Sequence, residues 1–150
     1  MDPNRPSFLL VDGNNILHAW EDLRPLLARS ADKARTILIR QLTDWSDDSE
    51  ERVVLVFDGG GRSPRDEQRE GRIQILHGDA GETADAVIER LVLKYAGTYR
   101  LVVATDDRAV QDLSAGAGAE VISAGLLRDR ITAGLRSREE WLRRHRRRNP

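Results

Sequence analysis

The chain has 150 residues, 39% hydrophobic and 33% charged, with 24 Lys and Arg against 25 Asp and Glu. This length suits one domain with a real core, and the composition is too apolar for a disordered chain. Cysteine is absent, which excludes disulfides and thiolate metal sites, and no apolar run nears the ~18 residues of a membrane span.

The opening "MDPNRPS" lacks the basic and apolar regions of a signal peptide, so a cytoplasmic protein with no membrane partner is expected. The first predicted element is a strand, Phe8–Val11, that stops abruptly in Asp12-Gly13-Asn14-Asn15. Asp, Gly and Asn are ordinary turn residues, so a turn accounts for them unless the pattern recurs. A helix follows over Ala31–Trp45, with Ala34, Ile37, Leu38, Leu42 and Trp45 at helical spacing. The second strand, Val53–Phe57, ends in Asp58, and Asp58–Gly71 is the one long polar connection, expected to be a mobile loop. Arg62, Arg65, Arg69 and Arg72 flank it as candidate phosphate grips, while Asp66, Glu67 and Glu70 among them fit a solvated loop equally well.

The third strand is Ile73–Leu76. A helix opens near Glu82 or Thr83, with a stripe of Ala84, Val87, Ile88, Leu91, Val92 and Tyr95. The fourth strand, Leu101–Ala104, runs into Thr105-Asp106-Asp107. A helix over Arg108–Ala115, a strand at Glu120–Ile122 and helices over Leu126–Gly134 and Arg138–Arg147 complete the chain. Short β-branched runs alternating with helices predict an α/β domain with a mostly parallel sheet of about five strands.

Ligands in such sheets bind at the carboxyl ends of the strands, and three strands here are followed at once by aspartate: Asp12, Asp58, and the pair Asp106 and Asp107. Each could be a helix cap. Three gathered at one edge would repel unless a cation neutralised them. Asp85 sharpens the case, because Ile88 and Val92 lie three and seven positions after it, on the same helix face. An inward carboxylate costs several kcal/mol unless it is paired or metal-bound. Glu82 has a simpler use, complementing the helix dipole. Oxygen ligands without cysteine favour Mg²⁺ or Mn²⁺, the ions of phosphate chemistry.

Together "LLVDGNNIL", "VFDGGG", "ETADAVIERL" and "LVVATDDRAVQ" resemble the NYN domain, a branch of the PIN-like nuclease superfamily, and within it the YacP-like group. The resemblance runs from about Phe8 to about Leu135. It implies a three-layer α/β/α fold and metal-dependent cleavage of RNA, and the leading expectation is an endoribonuclease acting on single-stranded RNA. By the same resemblance Asp12, Asp85 and Asp107 hold the catalytic ion. Glu82 is the acid one turn before Asp85, and Asn15 orients the site. Thr105 and Asp107 occupy the Thr-x-Asp motif, with Asp106 at its variable middle position. Asp58 supports the site; Asp58, Glu82 and Asp106 would hold a second ion or tune the first. Position 14 departs from the family, with Asn where an aromatic residue is common. Asn14, Asn15, Thr105, Arg62 and Arg65 would contact substrate. The implied partner is RNA, mRNA foremost, with the ribosome as one setting for its cleavage.

The organisation expected is a nuclease domain over 1–135 and a basic helical tail over 136–150. Seven arginines and two glutamates give the last 15 residues +5, so the other 135 carry −6. The tail "WLRRHRRRN" could release counterions from a nucleic acid, or could simply be a solvated helix end in which Trp141 anchors the tail. The rival to an endoribonuclease is a non-catalytic RNA- or ribosome-binding module with the same fold.

Overall fold

The computed structural model describes residues 5–59, 68–70 and 73–148, apart from the side chains of 68–70 and 147–148. Six strands, β1 (Ser7–Asp12), β2 (Arg52–Phe57), β3 (Gln68–Glu70), β4 (Ile73–His77), β5 (Arg100–Ala104) and β6 (Glu120–Ile122), form one sheet in the order β3-β4-β2-β1-β5-β6. Five are mutually parallel, as the alternating pattern predicts. The sixth was not expected: part of the polar connection read as a loop is β3, pairing antiparallel with β4 at the sheet edge. Its polar sequence gave no period-2 apolar signal, and only its pairing makes it a strand. Arg62 and Arg65 lie outside the described residues.

The helices are α1 (Gly13–Ala19), α2 (Arg24–Arg29), α3 (Ala31–Ser46), α4 (Ala84–Tyr95), α5 (Arg108–Gly116) and α6 (Ala124–Arg148). Strand alternation sorts them into two layers. Leu9, Val11, Val53, Leu55 and Phe57 pack with α1, α3 and α6, whereas Leu10, Val54, Val56, Leu101 and Val103 pack with α4 and α5. Burial of each such side chain contributes roughly 1.5–3 kcal/mol. The two helices expected over Leu126–Gly134 and Arg138–Arg147 are one 25-residue helix. Gly134 does not end it; a Cβ there would stand 2.9 Å from Cδ1 of Trp45, so the glycine makes room for that ring. Close packing outweighs the ~1 kcal/mol cost of a mid-helix glycine.

Neither α1 nor α2 was legible in the pattern. The first turn of α1 consists of Gly13, Asn14 and Asn15, whose propensities favour turns.

The chain leaves β1 towards β2 on one side and later returns through α4 to β5 on the other. The carboxyl ends of β1 and β5 are therefore the topological switch point, where the connections diverge and leave a crevice.

Candidate functional site

The alternation that sorts the core also aims the strand-end residues. Asp12 follows Leu10 and Thr105 follows Val103 on the α4–α5 face, and Asp58 follows Val56 there. The parallel register pairs Val11 with Ala104, so Asp12 and Thr105 come side by side. Both are buried, and the Thr105 hydroxyl donates to Oδ2 of Asp12 at 3.0 Å.

Asp85 reaches the same point from the first turn of α4, within hydrogen-bonding reach of Asp12. Burial, then the hydrogen bond and the charge of Asp85, push the Asp12 carboxyl from 3.8 up to about 7; the Thr105 hydroxyl and the Asn15 backbone N–H pull the other way. A buried carboxyl beside a second one cannot ionise freely. It shares a proton or binds a cation.

The neighbouring polar residues hold this pair in place. Asn14 accepts the backbone N–H of Asp58 at 3.1 Å, and Asn15 accepts that of Asp106 at 2.8 Å. The two amides after Asp12 thus tie the end of β1 to the ends of β2 and β5, one on each side. Asp58 accepts the N–H of Ala84 at 2.7 Å, the first residue of α4. Thr83 caps the same helix by accepting the Ala86 N–H at 3.2 Å. These two bonds satisfy backbone donors that a helix start leaves open and fix where Asp85 stands.

The remaining acids are engaged elsewhere. Asp107 caps α5, accepting the Val110 N–H at 3.0 Å through Oδ1, and its own N–H donates to Thr105 at 3.1 Å. Asp106 is exposed and accepts the Ala124 N–H at 2.8 Å, joining β5 to the start of α6. Glu82 pairs with Arg90 and accepts the Asp79 N–H at 3.1 Å; the Arg90 hydrogen bond holds its carboxyl below the usual range. Of the six acids, the structure joins only Asp12 and Asp85 directly, and among the described residues no group of three His, Cys, Asp or Glu is placed to hold a metal.

The pair still fits a hard cation. Its donors are all oxygen, its charge needs relief, and Mg²⁺ takes one or two carboxylates while keeping waters.

Two residues of this network escaped sequence reasoning. Arg90 stands eight positions from Glu82, beyond the spacings at which helix neighbours meet. Gln111 donates to the Thr105 carbonyl at 2.7 Å, a bond that depends on how α5 leaves the sheet. His18, His77 and His145, which lack ligand spacing, stand apart: His18 is exposed, His77 packs on Phe57 and His145 on Trp141.

Comparison with known proteins agrees with this architecture. The YacP-like NYN domain family matches residues 9–149. The "Uncharacterized protein YacP" of Bacillus subtilis (strain 168) is 35% identical over 114 residues, 74% of this chain and 66% of that protein, just under two thirds of its length. The crystal structure of Rae1 (YacP) from Bacillus subtilis is similar with a TM-score of 0.78 and 32% identity, over 91% of this chain and 80% of that one. A tryptophan-to-leucine mutant of Rae1 gives 0.81 and 30%, over 95% and 85%.

Proposed function

Because the chain belongs to the YacP-like NYN domain family, a branch of the PIN-like nucleases whose substrates are nucleic acids, we propose that it is a metal-dependent endoribonuclease cleaving single-stranded RNA at Asp12 and Asp85. The observation that carries this reading is the pair itself, a buried carboxyl held against a second one with its proton affinity raised to about 7. The fold could have buried an amide at position 12 without that electrostatic cost.

Asp12 and Asp85 would hold Mg²⁺ or Mn²⁺ with waters completing its shell, while Asp107 stays the cap of α5 rather than a third ligand. An ion bound there supplies an activated water and neutralises charge on the scissile phosphate. The chain's own residues position and orient. Thr105 fixes the rotamer of Asp12, Asn15 and Asn14 lock the three strand ends, and Asp58 anchors the helix carrying Asp85. In this reading Asp58 and Asp106 are braces and Glu82 is a partner of Arg90, rather than ligands of a second ion. With water attacking phosphorus as the P–O3′ bond breaks and the 3′-oxygen leaves with a proton, the products carry 5′-phosphate and 3′-hydroxyl ends.

The test is cleavage of a labelled single-stranded RNA in Mn²⁺ by the wild type and by Asp12→Asn, with single-stranded DNA and a phosphomonoester alongside. Loss of RNA cleavage in a folded variant is expected, and an undiminished rate would overturn the assignment. A second reading, a non-catalytic RNA- or ribosome-binding module, draws on the absence, among the described residues, of a third acid placed to hold a metal with the pair. It predicts RNA binding that survives EDTA, and no cleavage in either metal.

No helix among the described residues is long and apolar enough to cross a membrane.

A further inference from the structure

The last three turns of α6 project past the body. Up to Arg138 the helix packs on α3: Gly134 receives the Trp45 ring, and Arg138 lies 3.7 Å from Asp48, just beyond the end of α3. The same face continues through Trp141 and His145, spaced three and then four residues on, but α3 has ended at Ser46. Trp141 therefore does not anchor the tail; it is 57% exposed, beside a groove of about 610 Å³ shared with Asp48, Ser137 and Leu142. The His145 ring stacks on it at 3.7 Å, held by a hydrogen bond between Nδ1 and the Trp141 carbonyl oxygen at 2.9 Å. Glu139 is taken up by Arg143 at 3.8 Å, while Arg144 and Arg146, on either side of His145 in the chain, are exposed.

We propose that this projecting end is an RNA-docking surface remote from the carboxylate pair: a base stacks on Trp141 and the flanking arginines neutralise phosphates. The proposal rests on RNA as the substrate and deepens that reading by placing the grip. Stacked aromatics beside cations are how proteins hold single strands without reading sequence. Charge selects the occupant. A body of −6 repels a polyanion, and the +5 end offers the compensating attraction. Two such ends in a second copy of the chain would repel each other.

Distance gives the surface its consequence. The α6 helix begins beside the site, where Asp106 holds Ala124, and at 1.5 Å per residue Trp141 lies ~26 Å further along. An RNA of about five nucleotides, ~17 Å when stacked, falls short of that distance, whereas one of about 60 exceeds it.

The experiment uses the full chain as wild type, Trp141→Ala, and the double variant Arg144→Ser with Arg146→Ser, all exposed positions. Anisotropy in EDTA measures binding of the ~60-nucleotide RNA, and Mn²⁺ assays measure cleavage of the ~5-nucleotide one. Affinity for the long RNA should fall about tenfold in each variant. The arginine variant should also lower the salt slope by about 1.4, with cleavage of the short RNA unchanged. Unchanged affinity and slope would overturn the proposal. So would variants that lose only binding to anionic vesicles, or change only the mass seen by light scattering, since either puts a membrane or a second copy there. Tail-dependent binding without cleavage of either RNA would sink the nuclease reading and leave this surface standing.

Discussion

Thr105 Oγ1 lies 3.0 Å from Asp12 Oδ2, and the same hydroxyl accepts the Asp107 N–H at 3.1 Å. One buried group thus serves two candidate site residues, donating to the carboxylate of one and accepting from the backbone of the other. Thr105→Val keeps the shape and orphans both partners. Urea denaturation should read a loss of about 1–3 kcal/mol, mostly recovered in Thr105→Ser. Because the hydroxyl lowers the Asp12 pKa, the valine variant should bind Mn²⁺ with its pH midpoint moved upward.

The raised pKa of Asp12 makes the metal-free protein pH-sensitive in a definite direction. Below 3.8 the carboxyl is protonated whether the chain is folded or not. Between 3.8 and about 7 the unfolded chain gives up a proton that the native one keeps, so stability falls as pH rises and the penalty is full above about 7. Asp12→Asn removes that penalty, since its amide can donate to Asp85 while its oxygen accepts from Thr105. At about pH 8 and without metal the variant should be more stable than wild type by a few kcal/mol, raising Tm by roughly 5 °C or more. Added Mn²⁺ should raise the Tm of wild type only. Equal melting curves across this pH range would show that the pair is not coupled.

Asp58 separates a brace from a ligand. Its Oδ1 accepts the Ala84 N–H at 2.7 Å, a job an amide oxygen can do. Asp58→Asn should retain most Mn²⁺ affinity and cleavage. Asp58→Ala should cost about 0.5–2 kcal/mol as a lost cap and lower activity by letting α4 shift. Isothermal titration with Mn²⁺ decides: if Asp58→Asn binds as poorly as Asp85→Asn, Asp58 is a ligand after all.

Gly13 stands where a Cβ would lie 2.5 Å from the Phe57 ring and 2.9 Å from the Val56 carbonyl oxygen. Gly13→Ala should therefore destabilise by about 1–3 kcal/mol through overpacking. Cleavage should fall too, because the strain sits between Asp12 and the two asparagine braces. Thermal unfolding and RNA cleavage of the same preparation measure both effects.

Some of the fold was legible because its signals are local. The five parallel strands are short β-branched runs, and α3 and α4 carry period-3.6 apolar stripes, all ending near turn or cap residues. The elements that were missed lack such a signal: α1 starts with glycine and two asparagines, and β3 is polar and exists by pairing. A helix was expected to stop at Gly134, yet that glycine serves a ring more than 80 positions earlier in the chain.

The candidate site divides in the same way. Aspartate after an apolar strand, and Asp85 on the apolar face of its helix, are facts of the linear pattern, so the sequence by itself determined which acids to suspect. It could not determine which of them meet. Asp12 and Asp85 share a site because one strand's alternation and one helix's first turn are aimed at each other by Asn14, Asn15 and Asp58 across the strand ends. Asp106, Asp107 and Glu82 carry the same charge and spend it on the backbone of α6, the start of α5 and Arg90. A carboxylate's role follows from the donors the folded chain brings to it, and those come from residues far away in the sequence; only the tertiary structure decided it.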